Sequence, residues 1–265
     1  MSKETNHAIS EPERTPWGQV FLLMRAGDVT AFQVGKMSFL RIKNLILPAI
    51  VGLALFTTTA CPPRMIEVSG HRVFNPEYLW YLESEDRDRW QKPDQVIEAL
   101  ELSEGDVIAD VGAGGGYFIE KFSKRVGKRG HVYAVDVQDI MITLLKERVK
   151  RDKLHNVTVI KGGFETPMLP SKSVDIAFFS SVYKEISERI EYMKEVRKSL
   201  KRNGRVAILE FYKDGGFVGP EYGDRMYESQ VIEELEKAGF VLTRSFDFLP
   251  EEYFLLFGER KGTGK

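Results

Sequence analysis

Residues 106–137 read DVIADVGAGGGYFIEKFSKRVGKRGHVYAVDV, and this stretch decides the fold. The apolar run 107–111 predicts a buried strand that breaks off at Gly112. A helical pattern follows, and its apolar positions fall on one face: Phe118, Ile119, Phe122 and Val126. A second apolar run, 131–135, predicts another strand and is closed by Asp136. Strand, glycine turn, helix and strand ending in an acid form half of a nucleotide-binding type of α/β fold.

The turn after the first strand has glycines where the chain must reverse and its backbone must approach a ligand. Gly112, Gly114 and Gly116 give the spacing G-x-G-x-G. A dinucleotide fingerprint, G-x-G-x-x-G, requires a glycine at the sixth position, where this chain has Tyr117. The acid two residues before the first glycine, Asp110, would repel a diphosphate and attract a cation. These features favour a positively charged ligand without phosphate.

Asp136 lies 20 residues beyond Gly116, at the tip of the second predicted strand. An acid at this position typically binds the two hydroxyl groups of a ribose. The ligand that combines a ribose and an adenine with two cationic centres, and that carries no phosphate, is S-adenosylmethionine. We therefore expect S-adenosylmethionine as the cofactor.

The segment DVGAGGG from Asp110 to Gly116, together with Asp136, resembles the first two motifs of the class I S-adenosylmethionine-dependent methyltransferases. It is most similar to the type 11 group, which includes quinone-biosynthesis and small-molecule methyltransferases, and the resemblance covers roughly residues 90–260. It implies an α/β, Rossmann-like fold: a seven-stranded, mostly parallel sheet with helices on both faces and a final antiparallel strand pair. The candidate cofactor-binding residues are Asp110, Gly112, Ala113, Gly114, Gly116, Asp136, Val137, Phe164, Glu165 and Ser180.

The sequence departs from the resembled family after its third predicted strand. There the family often has an acid that accepts a hydrogen bond from the adenine amino group, and this chain has Gly163. Leu169-Pro170, a few residues later, does match the family pattern. One interpretation is that Phe164 stacks on the adenine and that Glu165 supplies the missing acceptor.

The methyl acceptor is expected beyond the carboxyl ends of the strands, where ligands of open α/β sheets bind. The candidate catalytic residues on that side are Tyr183, Glu210 and Tyr212. The candidate aromatic pocket walls are Trp80, Tyr81 and Trp90. Lys184 and Glu185 are interpreted as the solvated start of a helix. Because a sulfonium methyl group is already activated, the protein mainly has to align the reactants and exclude water, and no catalytic triad is expected.

Composition excludes several other classes of function. The 265 residues are 43% hydrophobic and 29% charged, with a formal net charge of −1. This balance argues against a general nucleic-acid-binding protein, which normally carries a basic excess. A single cysteine, Cys61, allows no disulfide within the chain and no cysteine-based zinc site, and His71 has no ligand set around it. We therefore predict no metal site.

The N-terminal part has the pattern of a signal or anchor. Residues 37–61 contain a basic start, the apolar run 45–56 and small residues before Cys61, which resembles a bacterial lipoprotein signal. A simple membrane anchor and a buried apolar helix are the alternatives. We expect association with a membrane through this segment, with a cytoplasmic protein as the alternative. The predicted parts are a disordered tail or mis-start (1–36), the signal or anchor segment (37–61), an N-terminal cap segment (62–104) and the methyltransferase domain (105–260).

Three functions compete at this point. The first is an S-adenosylmethionine-dependent methyltransferase that acts by in-line transfer on a small acceptor, either hydrophobic or membrane-associated. The second is an NAD(P)-dependent oxidoreductase, which Asp110 and the glycine spacing disfavour. The third is a lipoprotein that binds S-adenosylmethionine without turnover. The acceptor and the oligomeric state do not follow from the sequence.

Overall fold

The structure is a computed structural model that describes residues 65–84, 86–215 and 218–260. Its strands are β1 (Met65–Val68), β2 (His71–Phe74), β3 (Val107–Val111), β4 (His131–Asp136), β5 (Val157–Lys161), β6 (Val174–Ser180), β7 (Leu200–Phe211), β8 (Phe240–Phe246) and β9 (Glu252–Glu259). Its α-helices are α1 (Leu79–Leu82), α2 (Arg87–Gln91), α3 (Pro93–Ala99), α4 (Ile119–Val126), α5 (Asp139–Arg151), α6 (Arg189–Ser199) and α7 (Glu228–Lys237). Short 3₁₀ helices span Pro76–Tyr78, Tyr183–Glu185 and Tyr222–Asp224.

The central sheet has seven strands in the order β5-β4-β3-β6-β7-β9-β8. Strands β3 to β7 run parallel to one another, whereas β9 runs antiparallel to both β7 and β8. The chain order reverses beside β3, because β4 and β5 lie on one side of it and β6 on the other. The predicted seven-stranded, mostly parallel sheet with a final antiparallel pair is confirmed.

The sheet is covered on both faces because its central strands are apolar at almost every position. Ile108 pairs with Ile176, and both pack against the side of the sheet that carries α4. Ala109 and Ala177, the next pair, face the opposite core, which includes residues of α6 and α7. Adjacent residues of a strand point to opposite faces, so a continuous apolar run serves two cores.

Turns and an irregular pairing set several element boundaries. Helix α3 begins at Pro93 and ends before Glu101, whose φ of 51° is not helical. Helix α6 begins at Arg189, after the 3₁₀ turn Tyr183–Glu185. Strand β7 begins at Leu200, and its pairing with β6 shifts register between Val174 and Ile176.

The hairpin of β1 and β2 was not predicted, because its eight strand residues lack a clear alternation of apolar and polar side chains. It forms the start of the segment that was expected to be a cap. The predictions for residues 1–36 and 37–61 lie outside the described residues. No helix in the described ranges is long and apolar enough to cross a membrane.

Gly130, just before β4, packs closely against the backbone that precedes β3 and against Val126 of α4. A methyl group built on it lies 2.5 Å from the carbonyl oxygen of Asp106 and 2.5 Å from Cβ of Val126. We expect Gly130→Ala to lower the free energy of unfolding by about 1–3 kcal/mol, because backbone has to move to relieve the clash. Urea unfolding of the full-length protein measures this. Gly223→Ala is the control, since its added methyl group meets nothing within 4 Å. An unchanged midpoint for Gly130→Ala would contradict this account of the packing.

Candidate active site

A cavity of about 330 Å³ opens at the carboxyl ends of β3, β4, β6 and β7. This is the edge where the chain order reverses, and ligands of open α/β sheets bind at such a point. The predicted site residues that line the cavity are Asp110, Gly112, Ala113, Gly114, Asp136, Val137, Phe164, Ser180 and Glu210. The predicted site residues outside its lining are Gly116, Glu165, Tyr183 and Tyr212.

The glycine turn forms the floor of the cavity. Gly112, Gly114 and Gly116 all have positive φ, at 77°, 55° and 89°, which disfavours any residue with a Cβ atom. A Cβ atom on Gly112 would lie 2.5 Å from Cγ2 of Val182, so this glycine also permits close packing against the loop after β6. A Cβ atom on Gly116 would instead meet side chains of the protein core, including Leu145. Gly116 therefore shapes the turn without reaching the cavity.

Asp136, at the end of β4, is held by the backbone of two neighbouring segments. Its Oδ2 accepts a hydrogen bond from the N–H of Gly114 (2.9 Å) and its Oδ1 from that of Gln138 (2.9 Å). Burial raises the pKa of the Asp136 carboxyl, and the backbone N–H groups oppose this. Each carboxylate oxygen has a further lone pair, so the side chain remains able to accept from ligand hydroxyl groups.

Asp110, the acid at the end of β3, is only 2% exposed. Burial raises the pKa of its carboxyl to about 7, while Arg87 opposes the rise and Asp136 adds to it. Within the described ranges, no hydrogen bond reaches this carboxylate, and it lines the cavity. A buried carboxylate without a partner fits a cationic ligand and repels a diphosphate.

Arg87, on α2, is a residue of the site that the sequence analysis missed. Its guanidinium carbon lies 3.8 Å from the centre of the Tyr117 ring, and its Nε donates to Gln91. Gln91 in turn donates to both carboxylate oxygens of Glu252 (3.0 Å each) and to Oγ of Ser180 (3.2 Å). This buried polar network connects the cap segment to β6 and β9. No sequence pattern brings Arg87 and Glu252 together, because they are far apart along the chain.

Glu210, at the end of β7, holds the loop that follows β6. One of its oxygens accepts a hydrogen bond from the N–H of Tyr183 at 2.7 Å. Burial raises the pKa of Glu210 to about 7, and the backbone N–H groups of Tyr183, Lys184 and Val182 oppose the rise. Glu210 therefore lines the cavity but acts mainly as an acceptor for the backbone of this loop.

Tyr183 and Tyr212, two of the candidate catalytic residues, lie outside the lining of the cavity. Tyr183 is fully buried, and its hydroxyl donates to Oε2 of Glu234 (3.0 Å), away from the cavity. Tyr212 packs edge-on against Tyr253, with 5.8 Å between the ring centres, and is also outside the lining. Both side chains belong to the packing of the sheet edge against α7 and β9.

Glu185 lines the cavity, although it was expected to be exposed to solvent. The interpretation of Lys184 and Glu185 as a solvated helix start is wrong for Glu185, because its side chain lines the cavity. Burial raises the pKa of the Glu185 carboxyl well above its usual value, with Glu210 and Asp136 contributing. The 3₁₀ turn, which the sequence does not reveal, redirects this side chain inward.

The β1–β2 hairpin closes one side of the cavity. The His71 ring stacks on Phe164 with 3.9 Å between ring centres and an angle of 5° between planes, and its Nδ1 lies 3.1 Å from Oγ of Ser187. Arg72 donates twice to Asp224, at 2.7 and 3.1 Å. Phe164 therefore lines the cavity with one face already covered, whereas Glu165 is exposed and outside the lining.

Of the predicted aromatic walls, Trp90 lines the cavity and packs on Phe211 with 5.3 Å between ring centres. Trp80 is 64% exposed and does not line it. The side chain of Tyr81 lies outside what the structure describes. No cluster of three or more potential metal ligands occurs among the described residues.

The comparisons with known proteins agree with this site. Residues 102–243 match the profile of the family described as "Methyltransferase domain". This match covers more than half of the chain, and the chain belongs to that family. It is a class I S-adenosylmethionine-dependent methyltransferase, and S-adenosylmethionine is its cofactor. The oxidoreductase alternative is not supported.

Individual relatives are similar at moderate identity. The chain is 28% identical over 163 residues to the "Uncharacterized methyltransferase YdaC" of Bacillus subtilis, covering 62% of this chain and 84% of that protein. It is 28% identical over 130 residues to the "Ubiquinone/menaquinone biosynthesis C-methyltransferase UbiE" of Hydrogenovibrio crunogenus, covering 47% of this chain and about half, 48%, of that protein. A solved S-adenosylmethionine-dependent methyltransferase from Aquifex aeolicus superposes with a TM-score of 0.68 at 29% identity, covering 71% of this chain and 100% of that structure.

The buried acids around the cavity predict a pH dependence of stability. The pKa values of Asp110 and Glu210 are raised to about 7 and that of Glu252 to about 8. Raised carboxyl pKa values stabilise the fold at low pH, and this contribution is lost as pH rises through the folded values. We expect the melting temperature without ligand to fall by roughly 5 °C or more between about pH 5 and pH 9.

The variant Asp110→Asn distinguishes the destabilising effect of the buried Asp110 carboxylate from its contribution to ligand binding. The amide cannot ionise, so the variant should melt about 2–4 °C above the wild type at pH 9 and should show a shallower pH dependence. It should also bind S-adenosylhomocysteine at least about tenfold more weakly, because the carboxylate that faces the ligand is lost. Differential scanning fluorimetry and calorimetric titration measure the two effects. A variant that is neither stabilised at high pH nor weakened in binding would contradict the account of Asp110.

Arg225 binds carbonyl groups of the loop between β7 and α7. Its guanidinium donates to the carbonyl oxygens of Pro220 (2.9 Å), Tyr212 (3.2 Å), Val218 (2.8 Å) and Gly215. We expect Arg225→Met to accelerate amide hydrogen exchange in residues 213–215 and 218–219 about tenfold or more, because the substitution removes several hydrogen bonds from a charged donor. Exchange in β3 should stay unchanged and serves as the internal control. Equal exchange in the loop of both proteins would show that other contacts order it.

Proposed function

We propose that this methyltransferase transfers a methyl group in line to a small, predominantly apolar acceptor bound between the glycine turn and the β1–β2 hairpin. The observation that carries the proposal is the composition of one cavity. Two buried acids, Asp110 and Asp136, lie beside the turn, and apolar side chains form much of the remaining wall. The apolar residues on the acceptor side are Met65, Val73, Phe74, Trp90, Ile186 and Phe211.

In this proposal Asp110 and Asp136 bind different parts of the cofactor. Asp110 would bind the cationic part of S-adenosylmethionine, because its carboxylate faces the cavity and accepts no hydrogen bond within the described residues. Asp136 would accept hydrogen bonds from the ribose, since Gly114 and Gln138 hold both of its oxygens in position. The N–H groups of Gly112 and Ala113 already donate to the carbonyl of Val135, at 2.8 and 2.9 Å, so they fix the turn and do not bind the ligand.

When bound, S-adenosylmethionine supplies a methyl group on a positively charged sulfur. The protein then has to align the acceptor with that methyl group and exclude water. The hairpin contributes to both, because it covers the cavity through His71 and Arg72, which contact three different loops. Glu210 contributes by accepting a hydrogen bond from the N–H of Tyr183, which holds the loop after β6 in place.

The apolar character of the acceptor has two further supports. A relative over part of this chain is named a ubiquinone/menaquinone biosynthesis C-methyltransferase, which suggests a ring compound of quinol type. The sequence also has the apolar run 45–56 before Cys61, which would bring the enzyme to a membrane where such acceptors dissolve. We propose membrane association on this basis, and mass analysis of the native N-terminus tests whether Cys61 is processed. An unprocessed N-terminus and recovery in the soluble fraction would favour the cytoplasmic alternative.

Asp136→Ala tests the cofactor assignment. We expect it to weaken binding of S-adenosylhomocysteine by about 100-fold, because two charge-assisted hydrogen bonds to the ribose are lost. Asp139→Ala is the matched control, since that carboxylate lies three residues further on, at the start of α5, with 94% of its side chain exposed. Calorimetric titration of both variants and of the wild type, with NADH as the competing ligand, measures the effect. Unchanged affinity in Asp136→Ala would end this assignment.

Transfer itself is tested with radiolabelled S-adenosylmethionine and a bacterial lipid extract. Labelled product that partitions into the organic phase is the expected result. Tight binding of S-adenosylhomocysteine without labelled product in any fraction would favour the alternative of a binding protein without turnover.

A further inference from the structure

Glu185 stands out among the acids of the cavity because nothing in the established chemistry uses it. It is the last residue of the 3₁₀ turn after β6, and its side chain lines the cavity next to Ile186 and Ser187. Within residues 65–84, 86–215 and 218–260, no hydrogen bond or ion pair reaches its carboxylate. Asp136 and Glu210, by contrast, both accept hydrogen bonds from backbone N–H groups.

The nearby cations are committed to other partners. Arg72, across the cavity on β2, binds Asp224 through two hydrogen bonds. Lys184 donates to the carbonyl of Gly223 at 2.9 Å and lies 3.9 Å from Asp224. Neither is in position to neutralise Glu185, although the charge of Arg72 does favour its ionised form.

Hydrogen bonds hold the 3₁₀ turn that carries Glu185 in place. Glu210 accepts the N–H of Tyr183, and the N–H groups of Val182 and Lys184 also face it. The N–H of Glu185 donates to the carbonyl of Val182 at 2.9 Å. The backbone that carries Glu185 is thus fixed at one place on the cavity wall, which limits the region that its carboxylate reaches.

We propose that Glu185 is the general base of the reaction and that the acceptor is a weak acid of phenol or hydroquinone type. The inference rests on the proposed function, and the aromatic walls Trp90 and Phe211 suit a flat ring. The acceptor exchanges one hydrogen for the methyl group. Its proton goes to the Glu185 carboxylate, its electron pair forms the new bond to the methyl carbon, and the pair of the broken carbon–sulfur bond stays on sulfur.

The surroundings of Glu185 make it a stronger base than a free carboxylate. Burial raises its pKa, Glu210 on β7, Asp136 on β4 and Asp224 raise it further, and Arg72 on β2 opposes them. A general base works best when its pKa lies near the working pH, so that it is both available and able to take the proton.

The first test is a direct titration of Glu185 in the full-length protein saturated with S-adenosylhomocysteine. Carbon NMR with glutamate labelled at the carboxyl carbon gives the titration curve, and the signal missing in Glu185→Gln assigns it. We expect a midpoint well above that of an unperturbed glutamate, which titrates near about 4.3. A midpoint near the unperturbed value overturns the proposal whether or not turnover is seen.

The second test measures methyl transfer to 1,4-dihydroxynaphthalene kept reduced without oxygen. Glu185→Gln should lower kcat about 100-fold or more and lose the rise of rate with pH, while the affinity for S-adenosylhomocysteine stays within about twofold. Glu185→Asp should recover part of the rate. Glu188→Gln is the matched control, because Glu188 is exposed and outside the cavity three residues further on.

Wild-type rates in Glu185→Gln, or a loss of cofactor affinity that equals the loss of rate, would overturn the role as a base. Failure of the proposed function has a different signature. The wild-type protein would then give no labelled product with the naphthalene probe or with the lipid extract. The titration would still measure the pKa of Glu185 independently of turnover.

Discussion

The carboxylate of Asp110 is buried at the end of the central strand β3 and has no hydrogen-bonding partner in the described protein, and much of the site follows from that constraint. Its position is fixed on both sides, since β3 pairs with β4 and with β6 along its length. Burying an uncompensated charge is unfavourable, so the group ionises less readily and the fold is less stable at high pH. A ligand cation removes this penalty, which couples the stability of the protein to the occupancy of its cavity.

The same constraint repeats in the wall of the cavity and, for Glu252, in the buried network behind it. Asp136, Glu185, Glu210 and Glu252 all have raised pKa values, and burial is the main cause in each case. The protein handles them in different ways. Asp136 and Glu210 accept from backbone N–H groups, and Glu252 accepts from Gln91 and lies within the field of Arg87. Glu185 accepts no hydrogen bond within the described residues, which distinguishes it from Asp136, Glu210 and Glu252.

Closure of the cavity depends on contacts between parts of the chain that are remote in sequence. Arg72 of the hairpin binds Asp224, His71 stacks on Phe164, and Arg225 binds the carbonyl groups of the loop after β7. These are mainly polar contacts at the surface of a fixed sheet, which makes them more easily opened than the core. A site that excludes water during transfer and then releases a methylated product needs walls of this kind.

The sequence by itself determined the sheet, the glycine turn and the two acids that flank it. Apolar runs and helical spacing are local patterns, and the turn is specified by residues 110–116, so β3, α4 and β4 were predicted from one continuous stretch. Asp110 and Asp136 reach the cavity because they end two neighbouring parallel strands. The strand order of the sheet came from the resemblance to a family and is confirmed by the pairing.

Only the tertiary structure decided which of the remaining residues face the cavity. Tyr183 and Glu185 are two residues apart, yet the 3₁₀ turn buries the first against α7 and points the second inward. Arg87 enters the site through its contact with Tyr117, 30 residues further along the chain, and the β1–β2 hairpin does so through the contact of Arg72 with Asp224, 152 residues away. Side-chain direction at an irregular turn and pairing between remote segments are not encoded in local periodicity, because both depend on what the rest of the fold places beside them.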